Sequence, residues 1–116
     1  MEHISEVRDE LREPARALRQ MIPDVLQGYA QMHRAVLSDG ALSVAQKELI
    51  ALAIAATREC DGCVGSHARG AARSGATREQ VAEAMGVVIM MNGGPGTVWG
   101  PRALRSFDEA VAEVAD

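Results

Sequence analysis

Two Ser/Thr-x-x-Gln boxes, Ser43 with Gln46 and Thr77 with Gln80, each stand directly before a long apolar run. In such a box the hydroxyl accepts the backbone N–H three residues on, and the Gln side chain reaches back to the N–H of the cap. The boxes predict helices over about 43–57 and 77–91. A chain whose centre is committed to two helices has little left from which to build a sheet.

The flanking segments agree. Val7, Leu11, Ala15 and Leu18 fall at helical spacing in an opening segment over 5–20, which Pro14 should bend or restart. Pro23 suits a first helical turn. After it, Leu26, Tyr29, Met32 or His33, Val36 and Leu37 share one face. Ser38, Asp39 and Gly40 end that helix, Gly40 in the left-handed position past its C-terminus. Residues 61–74 read as a further helix closed by Gly75, the Gly/Pro-rich 92–96 as a loop, and about 101–114 as the last helix. No stretch alternates with period two. The expectation is an all-α chain, one domain over 1–116, with five to six helices.

Composition narrows the function. Apolar residues are 47% of the chain, enough for a core, with one Trp, one Tyr and one Phe. The core must therefore be aliphatic. A formal charge of −4 and scattered basic residues give no footprint for nucleic acid. The charged N-terminus does not read as a secretory signal, and the apolar run 87–91 is far short of the ~20 residues a membrane span needs. The cytosol is the expected compartment. Two cysteines there point to catalysis, redox sensing or metal binding rather than a structural staple. The segment 81–91 is apolar nearly all round, so it is either a central helix or one side of a subunit contact.

The chemistry centres on Cys60-x-x-Cys63 followed by His67. At 100° per residue the three side chains share one helical face, with Cys63 and His67 in i,i+4 contact. A thiolate is the nucleophile, and both a helix N-terminus and a neighbouring imidazolium favour it. Cys63 has both within reach. Two thiols one turn apart can also close a disulfide, provided Cys60 sits at the start of the helix. Inert buried cysteines are one alternative, though Asp61, Gly62, Gly65 and Ser66 do not make a plain core stripe. A zinc site of Cys60, Cys63, His67 and Glu48 is another, with no second ligand pair spaced along the chain. Thioredoxin-like placement fails, because that motif belongs between a strand and a helix. Glu48 opens a very apolar helix. On its own it reads as a solvated first-turn residue, whereas behind His67 it would accept a proton and stabilise an imidazolium. His33, on an apolar face, reads first as a core histidine, with lining a pocket as the alternative, and Trp99 reads as a packing anchor.

The run Lys47-Glu48-Leu49-Ile50, the Cys60/Cys63/His67 spacing, Ala71, Gly75-Ala76-Thr77 and Glu83-Ala84 together resemble the carboxymuconolactone decarboxylase family. Within it they are most similar to the alkylhydroperoxidase D-like branch, in detail over about 37–91. The resemblance implies an all-helical fold assembled as trimers or hexamers; no bound cofactor or metal is expected. It implies a relay of Glu48, His67 and the cysteine pair, with Cys63 attacking a hydroperoxide and Cys60 resolving the sulfenic acid to a disulfide. A protein or small thiol then reduces that disulfide, a lipoamide-bearing protein in the best-known members. Gly62 stands where some peroxidases of the branch carry a second histidine. That departure keeps open a slower thiol–disulfide exchange. A lactone-opening lyase and a metal- or ligand-binding module are the readings from other classes.

Overall fold

The computed structural model describes residues 3–115, and among them every regular element is a helix. The order is α1 (His3–Met21), α2 (Pro23–Val36), α3 (Val44–Thr57), α4 (Asp61–Arg73), α5 (Arg78–Asn92) and α6 (Gly94–Ala115). Both capping boxes form: Ser43 and Thr77 each accept the N–H of their Gln and donate their own to its side chain.

Helices α3, α4, α5 and α6 pack around one cluster of buried side chains. Leu52, Val64, Val81, Val88 and Phe107 are its largest fully enclosed members. Small residues at Ala55, Ala56, Ala68, Ala71 and Ala103 let the axes approach closely. Trp99 is buried in the same cluster, as an anchor, with the Arg102 guanidinium over its ring at 4.6 Å.

Two turns set the geometry of the site. After α3, Glu59 takes a left-handed φ of 54°, and the N–H groups of Glu59 and Cys60 bond back to Ala56 and Ala55. This Schellman closure delivers Cys60 straight to the N-cap of α4. Gly75 (φ 87°) repeats the pattern after α4, as its position predicts.

Four local expectations change. Pro14 does not restart the helix: α1 runs from His3 through Met21 with Pro14 inside it. Gly40 is not left-handed; α2 already ends at Val36, and the Lys47 ammonium caps its last carbonyls, donating to Val36 at 2.9 Å and Ser38 at 2.7 Å. The Gly/Pro-rich 92–96 is mostly helix: Gly93 (φ 67°) makes the break and α6 begins at Gly94, seven residues early. Pro95 fits the first turn, where no N–H is needed. Gly96 is required because α6 starts against α5, where a Cβ would press on the Ile89 backbone. Pro101 therefore lies inside α6 rather than at its start.

Helix α2 is the outlier. It contacts α1 and leans over α3, yet none of its residues is buried. On α5, Val81, Met85 and Val88 face the core while Val87, Ile89, Met90 and Met91 lie exposed.

Candidate functional site

Glu48 and His67 come from different helices and meet in the interior. Glu48 projects from the second turn of α3 and is only 6% exposed, so the solvated reading of it is wrong. Its Oε1 lies 2.6 Å from Nδ1 of His67 on α4. A carboxylate can only accept, so Nδ1 carries the hydrogen and donates to Glu48. Nε2 is then the ring nitrogen left to take a proton.

Cys60 and Cys63 form a disulfide across the first turn of α4, with Cα atoms 5.2 Å apart. Cys60 is also the N-cap: its Sγ accepts the Cys63 N–H at 3.3 Å. The N-cap residue has extended backbone, and that is what lets two sulfurs three residues apart meet. Cys63 is exposed and Cys60 half-buried, so neither is an inert core residue. With the sulfurs bonded to each other and Nδ1 bonded to Glu48, the four side chains are not arranged around a metal ion. Cys63 and His67 stand one turn apart on α4, and no hydrogen bond joins them in this disulfide form.

His67 also forms one wall of a groove of about 410 Å³ between α2 and α3. Met32, Val36, Ile50 and Ile54 make it apolar, while His33 and Tyr29 supply its polar edges. The His33 ring stacks on that of His67, centroids 5.9 Å apart and planes 18° apart. His33 is therefore a pocket residue, not a core histidine. Only its three-dimensional neighbour across the groove distinguishes the two, and the apolar face it shares in sequence gives no such signal. Lys47 matters for the same reason. By capping α2 it holds that helix, and hence His33, over α3.

The fold and this pairing of a Cys-x-x-Cys disulfide turn with a buried Glu–His couple define an all-helical protein with a vicinal cysteine pair. The profile of the carboxymuconolactone decarboxylase family matches residues 23–106, and the chain belongs to that family. A crystal structure of an apo carboxymuconolactone decarboxylase family protein from Legionella pneumophila superposes with a TM-score of 0.88 at 32% identity, covering 93% of this chain and 96% of that one. An uncharacterized protein of Cupriavidus necator is 44% identical over 79% of this chain and 81% of its own length. The uncharacterized protein 4 in the cox locus of Paracoccus denitrificans is 38% identical over 70% and 73%.

Proposed function

We propose that this chain is a thiol-dependent peroxidase. The observation that carries the reading is the buried Glu48–His67 hydrogen bond placed one helical turn from a Cys60–Cys63 disulfide. In the reduced protein the Cys63 thiolate attacks one peroxide oxygen. The O–O bond breaks, the alcohol leaves with a proton relayed by His67, and Cys63 becomes a sulfenic acid. The Cys60 thiolate then attacks the Cys63 sulfur, water leaves, and the disulfide forms. The peroxide gains two electrons and the cysteine pair loses two. A thiol reductant restores the pair, as a cytosolic cycle requires.

Gly62 supports a second reading, slow thiol–disulfide exchange, because it offers no side chain for proton transfer beside Cys63. Steady-state consumption of an organic hydroperoxide with dithiothreitol as reductant separates the two. Turnover faster than dithiothreitol alone supports the peroxidase; disulfide exchange without turnover supports the alternative.

The relay makes its own prediction on the reduced protein. His67→Ala slows alkylation of Cys63 near neutral pH, up to roughly tenfold for each unit by which the thiol titrates higher. Glu48→Gln does so more weakly. The difference closes as the pH passes the ordinary thiol range near ~8.5, where the thiolate forms unaided. A rate–pH profile by iodoacetamide that is unchanged in both variants reduces the pair to scaffolding.

A further inference from the structure

Helix α4 carries a glycine in its interior that its backbone does not need. Gly70 has no positive φ, and its neighbours Ala68, Ala71 and Ala72 form a stretch in which alanine would be the better helix former. Glycine destabilises a helix interior relative to alanine. What occupies the space instead is the Glu48 carboxylate. A Cβ built on Gly70 would overlap Cδ and Oε2 of Glu48 and lie 3.0 Å from Oε1, so its three nearest atoms all belong to that carboxylate. The contact that forbids a side chain here is with the carboxylate that bonds His67.

We infer that Gly70 is a positioning residue for the Glu48–His67 relay: the carboxylate sits in the volume a side chain at position 70 would take. The role rests on the peroxidase reading above, since it acts through that relay. Given a Cβ at position 70, the far end of Glu48 has to swing away. His67 Nδ1 then loses its acceptor, and a buried carboxylate loses its partner, which is a costly arrangement. His67 and Gly70 are i and i+3 on α4, so the residue oriented by Glu48 and the residue that admits Glu48 lie on one face of one helix.

The test is a double-substitution cycle read by urea unfolding and by alkylation of reduced Cys63. In the wild-type background Gly70→Ala lowers the unfolding midpoint. In a Glu48→Ala background the same change raises it, because the clash is gone and only helix propensity remains. Gly70→Ala also slows neutral-pH alkylation to at least the Glu48→Gln level. If Gly70→Ala alone does not fold, the double variant still decides, because it has to be at least as stable as Glu48→Ala. A shift of the same sign in both backgrounds overturns the inference. So does a wild-type alkylation profile in Gly70→Ala, which would leave Gly70 as packing alone. The cycle uses no peroxide: sign reversal with slowed alkylation but no peroxidase turnover upholds Gly70 while the peroxidase reading falls.

Discussion

On the proposed peroxidase cycle, Cys63→Ser is expected to consume no hydroperoxide, whereas Cys60→Ser should react once and stop. The first substitution removes the proposed attacking sulfur at the exposed first turn of α4, near a helix N-terminus that favours a thiolate. The second leaves that attack intact but removes the sulfur that closes the disulfide, so a sulfenic acid persists on Cys63. Dimedone trapping followed by peptide mass spectrometry checks both. The adduct is expected on Cys63 in Cys60→Ser and on neither position in Cys63→Ser. An adduct on Cys60 in Cys63→Ser, with none on Cys63 in the reverse variant, inverts the roles.

The second large effect concerns assembly. We propose that the chain is an obligate homo-oligomer, a trimer or hexamer as its family resemblance implies. Met90 and Met91 are 73% and 76% exposed at the end of α5, and Val25, Tyr29, Met32 and Val36 line an α2 with no buried residue. Covering a large apolar side chain stabilises by roughly 1.5–3 kcal/mol, so several together can hold subunits in a closed symmetric assembly. Met90→Asp should dissociate or aggregate the protein, while a Lys at an already exposed charged position such as Glu79 should leave its size unchanged. Light scattering that finds the wild type as a well-behaved monomer at micromolar concentration removes the proposal.

How far the sequence could be read depended on how local each cause was. Caps are local, so Ser43/Gln46, Thr77/Gln80 and the glycine closure at Gly75 were legible and stand in the structure. Cys60, Cys63 and His67 lie within eight residues, and their common helical face follows from spacing alone. Glu48 is 19 residues from His67, and its burial depends on how α3 meets α4. The residue itself reads as a solvated first-turn glutamate, and only the family pattern drew attention to it. Gly70 and His33 were less legible still. The reason for the one is a carboxylate from another helix, and for the other a ring across a groove. The start of α6 departs from its sequence signal for a physical reason. Gly94, Pro95 and Gly96 have loop propensities, but tertiary packing overrides them where α6 must begin against Ile89.

Cys60 and Cys63 are proposed as a redox pair driven by peroxide. The most direct measurement is a free-thiol count, with intact mass, on fully reduced protein given one equivalent of organic hydroperoxide. Two thiols should fall to none, with a loss of about 2 Da and a single intrachain Cys60–Cys63 link. Two thiols that persist in the folded protein through prolonged exposure would contradict the proposal.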